Sequence, residues 1–431
     1  MNLLPNESKN DKKNYLFLLL EGVCFNVGLV FFDGNTILPL LVEKLTGSSI
    51  LVGLLGMAPA FGMGITSLIA GNYNRSLSYK KKFILKYSSM GRLPLWILGL
   101  SLVFLTTTNS IFWAVLILLI QYAFWLADGA VYTAWTDLIG KSVSENIRGR
   151  FFSVTQLLGG GLAVFAGGLI SKILNIDFFD FPENYGIVIL IGALFFTLSL
   201  IMFRSLNETK PSSVSQKEKS IDLIKNIPNY LKSSKAFAKS MLILFLCTMG
   251  TISLPFYITF AKTGFGLAEK EVGLFISLKI IGKFLGGIIF GIIGDKFGHE
   301  KSIIIFGIST IFPGLIALLI NNSMPEYLIF LSFNLIYFFL GIQVGSWMVF
   351  MNYMIDLVPA DQRTLFAGFT NVVRVPASFA PFIGGFIVNQ WSYKPVFILS
   401  VIFALIGTYF AFTLPAASRT SKIDPETNLN Q

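Results

Sequence analysis

Runs of twenty or more largely apolar residues recur along this whole chain, and no other feature restricts its fold as strongly. A helix needs about 20 such residues to cross the hydrocarbon of a bilayer. Windows of that size find runs near 15–42, 50–71, 84–106, 111–138, 150–174 and 184–203. After a polar gap come 240–262, 270–292, 302–320, 326–357, 364–389 and 393–415. Twelve spanning helices are therefore expected. Only 13% of the 431 residues are charged, against about a quarter in soluble proteins, too few to coat a water-soluble globule. The first run carries Glu21 and Asp33 without a cleavage site, so it reads as a spanning helix rather than a removed signal peptide.

The formal charge of +10 does not indicate nucleic acid, because the basic residues gather in short loops. With the N-terminus inside, only Lys44, Lys172, Lys262, Lys270 and Lys394 fall outside, and Lys279, Lys283 and Arg374 lie within spans. The rest are cytoplasmic, so both termini are expected inside. The expected divisions are a cytoplasmic N-terminus 1–14, a six-helix unit 15–204, a cytoplasmic linker 205–239, a second unit 240–415 and a tail 416–431. Cys24 and Cys247 sit in apolar runs and read as inert thiols. One histidine and no Cys/His cluster argue against a transition metal, and no cofactor is expected. A membrane enzyme is disfavoured because that histidine, His299, lies in a loop.

The halves repeat at offsets of about half the chain. Pro39 answers Pro255, "TDLIG" (136–140) answers "IDLVP" (355–359), Arg148 answers Arg363, and Gly167-Gly168 answers Gly384-Gly385. Between the eighth and ninth spans stands "GIIGDKFGHEK" (291–301). Its mirror, "GNYNRSLSYKK" (71–81), has Arg75 in place of the acid and Ser78 in place of the second glycine.

Gly291, Asp295, Lys296, Gly298 and Lys301 match the loop signature G-x-x-x-D-K/R-x-G-x-K/R. With twelve spans and the half-chain repeat, the sequence resembles the major facilitator superfamily over nearly its whole length. The resemblance implies an all-α integral membrane fold, with twelve transmembrane helices in two pseudo-symmetric six-helix bundles around a central cavity. It also implies alternating access for a small-molecule substrate within a lipid bilayer. A monomer is expected. In the family this acid meets the positive N-terminus of a helix in the opposite bundle. Here that sets Asp295 against the start of the fifth span, near Arg148 and Arg150. Asp137, Asp356 and Arg363 join Gly291 and Gly298 as expected members of the latch. Arg75 spoils the mirror loop, so one latch is expected rather than two.

Two departures narrow the substrate class. Where drug/proton antiporters carry an Arg and a Gln in the fourth span, this chain has Trp125 and Asp128. Where their fifth span has Gly-Pro, it has Ala163-Val164. No sugar-porter signature follows the sixth span.

Ionisable groups inside a bilayer cost roughly 2.5–3.5 kcal/mol each on insertion scales and mark functional pathways. The first half carries Glu21, Asp33 and Asp128, and the second carries Lys279, Lys283 and Arg374. The acids are candidates for proton coupling, since a carboxyl leaving water holds its proton more tightly. Ion pairing, with Arg92 or across the halves, is the plainer alternative. Lys279 and Lys283 share one helix face and would suit an anion. Gln121, Trp125, Asp128 and Tyr132 share a face at i, i+4, i+7 and i+11, and the tenth span offers Gln343, Trp347 and Asn352. The expected function is a proton-coupled secondary transporter, with efflux of amphipathic compounds first and exchange or uptake of an organic anion second. A bacterial plasma membrane is expected.

Overall fold

A computed structural model describes residues 9–105, 109–175, 178–208, 211–212, 235–267, 270–346, 349–357, 370 and 373–416, with no strand among them. The first span is broken. Helix α1 (Lys9–Phe31) stops and α2 (Ile37–Thr46) restarts after five residues. Asp33-Gly34-Asn35 explains the stop: Asp33 Oδ1 accepts the backbone N–H of Asn35 at 2.7 Å, a local turn that competes with the helix. The second span is α3 (Ser49–Arg75), and the Ser48 hydroxyl accepts the N–H of Leu51 at its start. The third divides into α4 (Lys81–Arg92) and α5 (Pro94–Phe104), because Pro94 has no N–H to continue the ladder. Helices α6 (Ser110–Ser142), α7 (Glu145–Leu174) and α8 (Glu183–Arg204) complete the first half.

In the second half the seventh span runs from α9 (Lys235–Met249) through a tighter turn at Gly250–Ser253 into α10 (Phe256–Thr259), with Pro255 at the interruption. Then follow α11 (Lys270–Phe297), α12 (His299–Leu319), α13 (Glu326–Gly345), α14 (Val349–Leu357), α15 (Ala380–Gln390) and α16 (Tyr393–Phe412). Among the described residues ten helices are long and apolar enough to cross a membrane. The third span is not among them because Pro94 splits it, and residues 364–369 and 371–372 of the eleventh lie outside the described residues. The architecture is that of twelve transmembrane helices in two bundles.

The repeat seen in sequence is a repeat of packing. α1 packs on α8 as α9 packs on α16, α3 on α6 as α11 on α13, and α5 on α8 as α12 on α16. Helix α9 is described from Lys235, within the stretch expected as linker. The first residues of that stretch are held by the first bundle: Asn14 donates to the Asn207 carbonyl at 2.9 Å and accepts from its N–H at 2.9 Å.

The bundles meet along α3 with α15 and α7 with α11. Both contacts depend on bare backbone. A methyl group at Gly53 would collide with the Pro381 carbonyl, and one at Gly273 with the Gly167 carbonyl. These glycines lie near the starts of α3 and α11, towards the end of the bundles opposite the N-terminus of α1. That end is the far face, and the other the near face.

Candidate functional site

The charged residues inside the spans sort into three groups. The first lies within the N-terminal bundle. Arg92, at the break between α4 and α5, donates to the Ser199 hydroxyl at 3.0 Å, and Ser199 donates to Glu21 Oε1 at 3.0 Å. The Arg92 guanidinium is 3.9 Å from Glu21 Oε1 and 3.8 Å from Asp128 Oδ1. Trp135 Nε1 donates to Glu21 Oε2 at 3.3 Å, and Arg92 lies 4.7 Å from the Phe25 ring centroid. Glu21 and Arg92 are buried. Two carboxylates share one guanidinium, so the group carries one unbalanced negative charge unless a proton is bound.

The second group crosses between the bundles. Lys279 Nζ lies 2.7 Å from Asp33 Oδ2, with both side chains mostly buried. One turn further, Lys283 reaches only the amide oxygen of Asn26, at 3.4 Å. The break after α1 places Asp33 at the head of an unwound segment, where it meets α11.

The third group is Arg374, half-buried before α15. It lies within electrostatic reach of Tyr132 on α6, which in turn feels Asp128. Neither Lys283 nor Arg374 forms an ion pair among the described residues. Of the three basic residues that the sequence places within spans, Lys279 is matched with Asp33 and these two have no described acid.

The structure treats the other sequence candidates differently. Gln121 is fully buried against Gly34, and neither its amide nitrogen nor its oxygen has a partner among the described residues. Trp125 is half-buried with its Nε1 unpartnered. The Gln121–Tyr132 face therefore holds unused hydrogen-bonding groups at its far end and charge at its near end. Gln343 donates to the Ser309 carbonyl at 3.4 Å, inside its own bundle. Asn352 lines a cavity of about 90 Å³ there, with Gly287, Gly291, Phe290, His299 and Ser302. Trp347 lies outside the described residues.

At the near face the expected latch is not assembled among the described residues. Asp295 is exposed and makes no ion pair among the described residues. Arg148 donates to the carbonyls of Gly140 and Val143 at 3.0 and 3.3 Å, Arg150 is exposed, and Arg363 lies outside the described residues. Asp137 instead pairs with Lys80 at 3.0 Å and Lys141 at 3.4 Å, within its own bundle. Asp356 pairs with His299 at 2.7 Å. Gly298 has φ of 99°, a conformation that favours glycine. The mirror turn 71–81 has no residue in that region, so Ser78 is accommodated by a differently shaped loop.

Sequence reasoning missed Asn26, Ser199, Lys80 and Glu208. Asn26 had a signal, since it lies seven positions before Asp33 and so on the same helix face. Ser199 in an apolar run had none.

A helical membrane protein with two repeated bundles and paired charges where they meet is of the class that carries solutes by alternating access. A family model described as Major Facilitator Superfamily matches residues 23–375 and again 240–429, and the chain belongs to that family. It is a secondary transporter of a small-molecule solute, not an enzyme. An uncharacterized MFS-type transporter of Methanocaldococcus jannaschii is 26% identical over 390 residues, covering 86% of this chain and 87% of the relative. The cis,cis-muconate transport protein of Acinetobacter baylyi is 27% identical over 202 residues, 44% of this chain and 45% of that protein. Among solved structures, a bacterial homologue of the iron transporter ferroportin superposes with a TM-score of 0.71 at 13% identity, covering 96% of this chain and all of that one. A D-xylose-proton symporter superposes at 0.68, also with 13% identity, 96% coverage of this chain and complete coverage of its own.

Proposed function

We propose that this transporter takes up a small organic anion together with protons across a bacterial plasma membrane. One observation carries the reading: Lys283 and Arg374 stand in the spans with no acid beside them among the described residues. A cation in a bilayer needs a counter-charge, and a carboxylate substrate would supply one to each. The 27% identical relative is named for muconate, a dicarboxylate, which accords with two cationic positions.

The group of Glu21, Arg92 and Asp128 is the proposed proton site, because its charge balances only when one carboxyl is protonated. Asp33, engaged by Lys279, is proposed as the acid that links anion entry to opening of the far face. The near face is taken as cytoplasmic from the distribution of basic loops. Export of amphipathic compounds is the second reading, favoured by the half-buried Trp125 with its free N–H. It ranks lower because it leaves Lys283 and Arg374 nothing to bind.

Purified protein in liposomes should accumulate a labelled dicarboxylate when the outside is made acidic. It should not accumulate a neutral sugar or an organic cation. Equal uptake with and without the pH difference would sink the proton claim, and preference for the cation would sink the anion claim.

A further inference from the structure

The chain's single histidine is placed where its other half carries a lysine. At the near face of the first bundle Lys80 pairs with Asp137 at 3.0 Å. In the second bundle His299 Nδ1 lies 2.7 Å from Asp356 Oδ2. Both members are displaced by 219 positions, from 80 to 299 and from 137 to 356. Each pair ties the turn between two spans to the end of the helix that follows next but one. The lysine clip carries a fixed charge at any physiological pH. The histidine clip does not, since imidazole is the side chain whose charge ordinarily changes between about pH 5 and 8.

We infer that His299 and Asp356 form a proton-controlled clip through which the pH at the near face sets how readily that face closes. When the imidazole is protonated its Nδ1–H makes a charge-assisted bond to Asp356, roughly twice as strong as a neutral one. The turn bearing Asp295 and Gly298 is then held against α14. When the proton leaves, the attraction falls and the turn is released. Access for the proton is built in, because His299 lines the 90 Å³ cavity with Ser302 and Asn352, several times the volume one water needs. The ring itself rests on Gly294, where a methyl group would come within 2.8 Å of its Cδ2 atom.

The elements packed around His299 carry several charged and titratable groups among the described residues. From α14 come Asp356 and Tyr353, the latter bonded to the Pro415 carbonyl at 2.9 Å. On α12 itself the buried Glu300 carboxylate lies against Gly298, and Lys301 follows it. On α11 Asp295 and Lys296 are exposed at the helix end. Acids thus outnumber bases around the ring. The inference does not depend on the substrate or on proton-coupled uptake.

The test is a distance between labels at the exposed Ser153 and Phe297, one on each bundle near this face. It is measured in liposomes without substrate and with equal pH on both sides. The wild-type distribution should shift between about pH 5 and 8. His299→Lys should stay at the wild-type acid limit across that range, His299→Gln at the alkaline limit, and Asp356→Asn should lose the response. Thermal melting of each variant confirms that it is folded. If wild type shows no shift, or if His299→Lys and His299→Gln shift as wild type does, the clip is not proton-controlled.

Discussion

Lys279 and Asp33, 246 positions apart in sequence, meet at 2.7 Å and tie the two bundles together. Neither is fully buried, at 13% and 17% exposure, yet each would be left in the spans without its counter-charge if the other were removed. Breaking a buried pair by deleting one partner costs about 3–5 kcal/mol, whereas removing both costs far less. Asp33→Asn and Lys279→Met should therefore each lower thermal stability in detergent by more than the double variant does. Equal, additive losses would mean the pair contributes nothing.

Arg374→Gln and Lys283→Gln test the anion reading. Each should reduce dicarboxylate uptake at least about tenfold, equivalent to roughly 1.4 kcal/mol, while the protein still melts cooperatively. Uptake within a factor of two of wild type for both variants would remove these residues from the substrate path.

Within the N-terminal bundle the two kinds of residue should behave in opposite ways. Glu21→Gln or Asp128→Asn leaves Arg92 with one carboxylate and balances the charge, so folding should survive while uptake stops responding to a pH difference. Arg92→Ala leaves two carboxylates facing each other in the spans and should lower the melting temperature most of the three. A larger loss from Glu21→Gln than from Arg92→Ala would contradict this account.

The bare-backbone contact predicts a steric lock. Gly273→Ala places a methyl group against the Gly167 carbonyl, which should displace the closed far face and shift labels there apart. Gly168→Ala, next to the same contact but with open space around it, should change neither the distance nor uptake. Closure unchanged in Gly273→Ala would show that the helices do not meet as described.

Much of the fold was legible because membrane spans are written locally: twenty apolar residues suffice, and loop charges follow a simple rule. The breaks were legible only in part. Asp33-Gly34-Asn35 is a strong turn signal, yet the apolar run through it reads as continuous. Pairings were not legible, since nothing in the neighbourhood of Glu21 or Arg92 indicates that Ser199 will stand between them. Helix periodicity placed Gln121, Trp125, Asp128 and Tyr132 on one face, but how deeply each is buried depends on α1, α2 and α3 packing over it. The asymmetry of the two loops was visible as Arg75 against Asp295. That the histidine clip mirrors the lysine clip needed the fold, because the partners lie 57 residues apart.

Glu208 lies just beyond α8, yet its carboxylate accepts the backbone N–H groups of Lys80 and Lys81 at 2.8 Å each and binds Lys141 at 2.9 Å. Ser212 continues the attachment by donating to Asp137 at 2.7 Å. The start of α4 is therefore stitched shut by Glu208 and Ser212, residues that follow the first bundle's last span. A gene cut between codons 212 and 235 would yield two polypeptides, the first keeping Glu208 and Ser212 and the second keeping all of α9. Expressed together, they should reassemble into a working carrier, whereas a cut before Glu208 would leave the first piece with its seam undone.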